Sequence, residues 1–69
     1  MHPKQVIRLA VIERCIANGM SSVETEASID TALLLYHLGH SVAAAVESGK
    51  RTADRVAGKR RGGTQLEAI

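Results

Sequence analysis

The 69-residue chain contains no tryptophan and no phenylalanine, and it has one tyrosine, one cysteine and one proline. A single cysteine excludes an intramolecular disulfide, and the shortage of rings excludes a core built on aromatic side chains. A domain of this size gains only about 3–5 kcal/mol from its core, so small domains commonly rely on disulfides, metals or self-association. Without a disulfide, we expect self-association to be the stabilising aid.

Long apolar runs are also missing. Nothing approaches the roughly 18 uninterrupted apolar residues of a membrane span, and charged side chains interrupt the N-terminal segment, unlike in a secretory signal. Hydrophobic residues nonetheless make up 45% of the chain, too many for a disordered protein. We therefore expect a folded cytoplasmic protein with no membrane segment.

Charge is distributed unevenly along the chain. Residues 1–48 carry three basic and five acidic side chains, whereas residues 49–69 carry six basic and two acidic ones. We expect a domain over residues 1–58 and a basic, flexible tail over residues 59–69. The basic side chains that are candidates for binding nucleic-acid phosphates are Lys50, Arg51, Arg55, Lys59, Arg60 and Arg61.

Helix signals begin near the N-terminus. Pro3 suits the first turn of a helix, and no breaker follows until Gly19, which predicts a helix over about residues 4–18. Ser21 and Glu24 match a capping box, which predicts that a second helix begins near residue 22. A link of about three residues folds two helices into an antiparallel hairpin. No strand-like alternation occurs, so the predicted fold class is all-α.

The end of the second helix is less sharply marked. Gly39 costs only about 1 kcal/mol inside a helix, and the segment SVAAAVES continues the apolar spacing in phase. We therefore expect one helix over about residues 22–48 that ends near Gly49. The alternative, a stop at Gly39 with a new cap at Ser41, remains open.

Both predicted helices are apolar on more than one face. On the first helix, one face carries Val6, Leu9 and Ile16, and the nearly opposite face carries Ile7 and Val11. A single hairpin partner covers only one of these faces, and a helix that is apolar nearly all round must be buried in a larger assembly. We expect that assembly to be a homodimer with a four-helix arrangement.

The predicted lengths of the helices place the dimer interface. A second helix of about 40 Å extends beyond a first helix of about 22 Å, so its far half lacks cover within its own chain. Two-fold symmetry is the usual arrangement for such a contact between identical chains. The residues expected at the dimer interface are Leu34, Leu38, Val42, Ala45 and Val46.

A different face of the second helix is predicted to bind a partner. Tyr36 is the only aromatic residue, and tyrosine is favoured in binding hot spots because it combines a large apolar surface with a hydroxyl. A tyrosine at the edge of the core is the alternative interpretation. The residues expected to contact a partner are Ile29, Leu33, Tyr36 and His40.

Catalytic and metal-binding patterns are not found. His37 and His40 could share a zinc ion, but even a catalytic zinc site needs three protein ligands and no third is evident at helical spacing. Cys15 lies among apolar residues, which favours a buried thiol over a nucleophile. The sequence therefore predicts no enzyme activity, no metal and no cofactor.

A short all-α chain with a capped helical hairpin, surplus apolar surface and no active site resembles the small host-takeover proteins of temperate phages. It is most similar in plan to phage-encoded quorum-sensing anti-activators, which are small helical dimers. The resemblance covers the size and helical plan of the whole chain and carries over no individual residue.

The resemblance implies a non-enzymatic protein of the host bacterial cytoplasm that inhibits by stoichiometric binding. The partners that it implies are a LuxR-type transcription activator and a type IV pilus assembly ATPase. Two other functions remain open: a small DNA-binding or DNA-associated regulator that uses the basic tail, and a structural oligomerisation module. Binding to phosphates weakens steeply with salt, which separates the DNA hypothesis from the others.

Overall fold

The computed structural model describes residues 2–68 of the chain, with side chains for residues 2–59. Within these residues it contains three α-helices and no strand: α1 (Pro3–Ala17), α2 (Ser22–His37) and α3 (Val42–Ala68). Each helix packs against both of the others. The all-α prediction is confirmed, but the chain forms three helices where the sequence predicted a two-helix hairpin.

The end of α1 is fixed by a glycine in the left-handed region. Gly19 has φ +65°, and its N–H donates to the carbonyl of Ile16 at 3.0 Å. The N–H of Met20 donates to the carbonyl of Cys15, also at 3.0 Å. These two bonds form a Schellman motif, which satisfies carbonyls that the helix end would otherwise leave unpaired.

The beginning of α2 confirms the predicted capping box. The N–H of Glu24 donates to Oγ of Ser21 at 3.2 Å, and the N–H of Ser21 donates to Oε1 of Glu24 at 2.9 Å. The two residues thereby satisfy each other's backbone donors at the helix start.

The predicted continuous helix over residues 22–48 is wrong, because α2 ends at His37. Gly39 has φ +101°, and its N–H donates to the carbonyl of Tyr36 at 3.1 Å. The N–H of His40 donates to the carbonyl of Leu35, also at 3.1 Å, which completes a second Schellman motif. The alternative that the sequence left open, a stop at Gly39, is the observed one.

A new cap starts α3 immediately afterwards. The N–H of Ala44 donates to Oγ of Ser41 at 3.1 Å. The helix passes through Gly49, so the predicted stop at that residue is also wrong. The predicted flexible tail, residues 59–69, falls almost wholly outside the side chains that the structure describes and stays a prediction.

The reason for the glycine inside α3 is its position at the centre of the core. A Cβ on Gly49 would overlap Cγ2 of Val11 and lie 2.9 Å from Cβ of Ala32. All three helices therefore meet at this point, and only a residue without a side chain allows the approach. Small residues continue at intervals of four along the same side of α3, where the buried residues besides Gly49 are Ala45, Ala53 and Ala57.

The rest of the core comes from one face each of α1 and α2. On α1, Ile7, Val11 and Cys15 are completely buried. On α2, the buried residues are Ser28, Ile29 and Ala32, and the hydroxyl of Ser28 donates to the carbonyl of Glu24 at 3.1 Å. A buried hydroxyl with a hydrogen bond inside its own helix needs no partner elsewhere.

The overhanging helix end that predicts a dimer is not observed in residues 2–68. Residues after Ser41 belong to α3, which packs against both α1 and α2 and so covers the inner faces within one chain. The dimer itself and its four-helix arrangement stay predictions.

Candidate functional site

The outward side of α2 carries a row of apolar side chains. At about 100° per residue, Val23, Ala27, Leu34 and Leu38 fall along one side of this helix, and all four are exposed. The exposed fractions are 80% for Val23, 58% for Leu34 and 68% for Leu38. We call these four residues the outer face of α2.

An acidic edge borders the outer face of α2. Glu26 and Asp30 are exposed, are separated by one helical turn and lie beside Val23 and Leu34 on the helical projection. Neither forms an ion pair with a described residue, because the one salt bridge found within residues 2–59 joins Arg14 and Asp54. His37 continues the same edge and is also exposed.

The predicted partner-binding residues are not brought together on one surface. Ile29 is 1% exposed and belongs to the core, so its assignment to a partner surface is wrong. Leu33 and Tyr36 are half-buried and pack against the core, and only His40 is exposed. The ring of Tyr36 lies 6.4 Å from that of His37, centroid to centroid, with the planes tilted. Tyr36 thus takes the position that the sequence left as the alternative, at the edge of the core.

The predicted dimer residues divide into three groups. Ala45 is completely buried inside its own chain and offers no surface to a second subunit, which corrects its assignment. Val42 and Val46 are half-buried and pack against the core. Leu34 and Leu38 are the most accessible of the set, and their place in a dimer interface stays a prediction.

Sequence reasoning missed three residues of this surface: Val23, Glu26 and Asp30. The signal was present, because Val23 precedes Ala27 by four residues and Leu34 by eleven, a spacing that returns to the same side of a helix.

Exposed apolar residues also occur on α1. Val6 is 39% exposed, Leu9 52% and Ile16 72%. They belong to the face opposite Ile7 and Val11, one of the two apolar faces that the sequence predicted for this helix. Among the described residues, these three side chains of α1 remain partly or mostly exposed.

A polar cluster joins the end of α1 to α3. Nη1 of Arg14 donates to Oδ2 of Asp54 at 2.8 Å, and Nδ2 of Asn18 donates to Oδ1 at 3.0 Å. The hydrogen bond from Asn18 is the largest cause that lowers the pKa of Asp54. Partial desolvation opposes it, and the hydrogen bond and charge of Arg14 lower the pKa further. Because both partners of the ion pair are about half exposed, we interpret the cluster as structural rather than catalytic.

Four basic residues, Lys50 to Lys59, lie in the part of α3 whose side chains the structure describes. Arg51, Arg55 and Lys59 are exposed and recur at intervals of four, which places them along one side, while Lys50 is half-buried. Arg60 and Arg61 lie outside the side chains that the structure describes. Three of the six predicted phosphate contacts therefore form one basic row.

Metal and thiol chemistry find little support among the described residues. Residues 2–59 contain no group of three or more His, Cys, Asp or Glu side chains placed to hold a metal ion. Cys15 is a free thiol with no exposed surface, as the sequence predicted. In the same residues, every buried side-chain nitrogen and oxygen has a hydrogen-bond partner.

Comparisons with known proteins add no identification. No family model matches the chain, and neither a curated protein nor a solved structure is significantly similar to it. Among the described residues, no helix combines the length and the apolar character that crossing a membrane requires. The surfaces described above are therefore the basis for a functional proposal.

Proposed function

We propose that the protein is a non-enzymatic binding protein that inhibits another protein by stoichiometric binding through the outer face of α2. The observation that carries the proposal is the exposure of Val23, Leu34 and Leu38 on one side of a helix whose other side is already packed in the core. Clustered exposed apolar side chains commonly mark a binding surface.

The energetics of the outer face support binding rather than folding as its role. Leu34 and Leu38 are more than half exposed in the folded chain, so they contribute little burial to its stability. Complete burial of a leucine side chain is worth about 1.5–3 kcal/mol, and the share that belongs to the exposed part of each side chain becomes available only when a partner covers it. The two leucines are one turn apart, so a single partner can bury both.

The candidate partners come from the resemblance to phage anti-activators. We propose a host bacterial protein as the target, with a LuxR-type transcription activator and a type IV pilus assembly ATPase as the first two to test, in the bacterial cytoplasm. The small size and the all-helical plan of the chain support this choice.

The test compares baits that differ in one exposed side chain. Wild-type protein, Leu34→Glu and Ile16→Glu are each immobilised, and bacterial lysate is passed over them before mass spectrometry. The control has the same chemistry on a different helix, since Ile16 is 72% exposed on α1. We expect Leu34→Glu to lose a captured protein that wild type and Ile16→Glu retain, at near-equimolar ratio. Equal capture by all three baits would contradict the proposal.

The DNA-associated alternative has one observation in its favour. Arg51, Arg55 and Lys59 form an exposed row with no ion pair to a described residue. Phosphate contacts from such a row make affinity fall steeply as salt rises. Fluorescence anisotropy with a labelled DNA duplex at 50 and 200 mM salt tests it. A row that binds phosphates loses affinity in an Arg51→Gln, Arg55→Gln variant, while Leu34→Glu binds as wild type does.

A further inference from the structure

We infer that the occupant of the outer face of α2 is an amphipathic helix whose apolar stripe is bordered by lysine or arginine. This inference rests on the proposed function and specifies the chemistry of the partner. The juxtaposition behind it is the apolar row of Val23, Leu34 and Leu38 beside the exposed carboxylates of Glu26 and Asp30.

The charge of α2 has one sign. Residues Ser22–His37 contain three carboxylates and neither lysine nor arginine. Glu24 is committed to the capping box with Ser21. Glu26 and Asp30 remain on the exposed side at a spacing of four, where like charges destabilise a helix. A cationic partner relieves this repulsion, which the fold by itself leaves uncompensated.

The shape of the surface favours a helix as the occupant. Residues 23–38 span about 22 Å along the helix axis, and their apolar side chains form a ridge that fits the groove of a second helix. The backbone of α2 is hydrogen-bonded internally, so it offers no edge for a strand to pair with. An anionic membrane surface is disfavoured because interfacial helices carry lysine and arginine beside their apolar face, and α2 carries carboxylates.

A second copy of α2 does not supply the required charge. If α2 packs against α2 of another chain, the carboxylates of both helices lie in the same interface, and α2 contributes no lysine or arginine to face them. Like charges opposed in an interface suppress that pairing. The partner must therefore bring the positive charge with it.

The test uses two synthetic helical peptides of 21 residues with identical leucine stripes. One has lysine and the other has glutamate at the positions that border the stripe, and both carry a fluorophore for anisotropy at 0.15 M salt. The protein as a whole has a net charge of +2, so non-specific attraction favours the glutamate peptide. A preference for the lysine peptide must come from a local acidic surface.

We expect the lysine peptide to bind at least about tenfold more tightly than the glutamate peptide, since the two carboxylates of Glu26 and Asp30 attract lysine and repel glutamate. A variant with Glu26→Gln and Asp30→Asn should bind the lysine peptide about fivefold more weakly. Glu13→Gln, which removes an exposed carboxylate from α1, should change nothing. Leu34→Glu should abolish binding of both peptides.

Three results would overturn the inference. The first is equal affinity for the two peptides, or binding of neither. The second is a preference for the lysine peptide that survives in the Glu26→Gln, Asp30→Asn variant. The third is sedimentation of the wild type as a dimer that Leu34→Glu dissociates. The last result assigns the outer face of α2 to a second copy. Failure of the proposed function gives a different result, because in that case the Leu34→Glu bait captures the same host protein as the wild-type bait.

Discussion

Replacing Gly49 by alanine should destabilise the protein, although the same change at most helical glycines is stabilising. Alanine is the better helix former, by about 0.8–1.0 kcal/mol. At Gly49, however, the new methyl group would overlap Cγ2 of Val11 and approach Cβ of Ala32 to 2.9 Å. Both neighbours are fully buried, so neither can move aside without disturbing the core.

The net effect of Gly49→Ala on stability is the cost of crowding the core minus the gain in helix propensity. Inserting a methyl group into a packed core costs about 1–3 kcal/mol, whereas the higher helix propensity of alanine stabilises the protein by about 0.8–1.0 kcal/mol. Because the new methyl group overlaps a fully buried neighbour, we expect a cost in the upper part of this range and a net loss of about 1–2 kcal/mol for Gly49→Ala. In a domain of this size, each kcal/mol of lost stability lowers the thermal midpoint by about 4–8 °C. The thermal midpoint of Gly49→Ala should therefore fall by about 5–15 °C.

Gly58 provides the matched control on the same helix. A Cβ at Gly58 meets nothing within 4 Å, and the residue is exposed. Gly58→Ala should therefore raise stability by about 0.5–1 kcal/mol. Thermal and urea unfolding followed by far-UV circular dichroism measures both variants, which suits a chain without tryptophan.

The double variant Val11→Ala, Gly49→Ala separates crowding from other causes. If the cost at Gly49 comes from the methyl groups of Val11, the alanine there should cost much less once they are removed, and the two changes will not be additive. The reasoning is refuted if Gly49→Ala raises the thermal midpoint as Gly58→Ala does, because the three helices could then not be in close contact at this residue.

Three other predictions follow from the fold. Ile29→Ala should cost about 2–5 kcal/mol of folding stability and leave the chain largely unfolded, whereas Leu34→Glu should change stability by no more than about 0.5 kcal/mol in urea unfolding. The opposite order would mean that Leu34, and not Ile29, belongs to the core. Gly39→Ala should cost about 1–2 kcal/mol because φ is +101°, and an unchanged thermal midpoint would argue against the second Schellman motif. Because the folded pKa of Asp54 is lowered, its stabilising effect is present above the ordinary aspartate pKa near 4 and is lost as pH falls through the lowered value. Asp54→Asn should therefore lose less stability than wild type between about pH 5 and pH 2, and identical acid sensitivity would contradict this assignment.

The two links of the fold show where sequence reasoning succeeded and where it failed. Gly19 and Ser21 form the stop and the cap of the first link, and Gly39 and Ser41 form those of the second. The sequence predicts a link at the first Gly-x-Ser segment and a helix interior at the second, because the apolar spacing after Gly39 continues in phase. A glycine that is followed two residues later by serine carries both a helix stop and a new cap, which is stronger evidence than phase alone.

The burial of Ile29 shows where the assignment of faces on α2 was wrong. Sequence reasoning placed Ile29 on the surface that contacts a partner, but the core side of α2 is lined by Ser28, Ile29 and Ala32. Leu34 and Leu38, which are predicted at the dimer interface, lie outside that core side and are exposed in the single chain. Which face of a helix is buried depends on how the other helices approach it, and the pattern of one helix does not reveal that.

Because Cys15 is completely buried, the rate at which its thiol reacts measures how often the folded chain opens. A thiol reagent reaches this sulfur only after α1 separates from the core, so the labelling rate equals the intrinsic thiol rate multiplied by the fraction of open molecules. For a domain with about 4 kcal/mol of stability, labelling should be about a thousandfold slower than in the unfolded chain. No residue has to be introduced for such a measurement, and the single thiol gives one signal without competition from a second site.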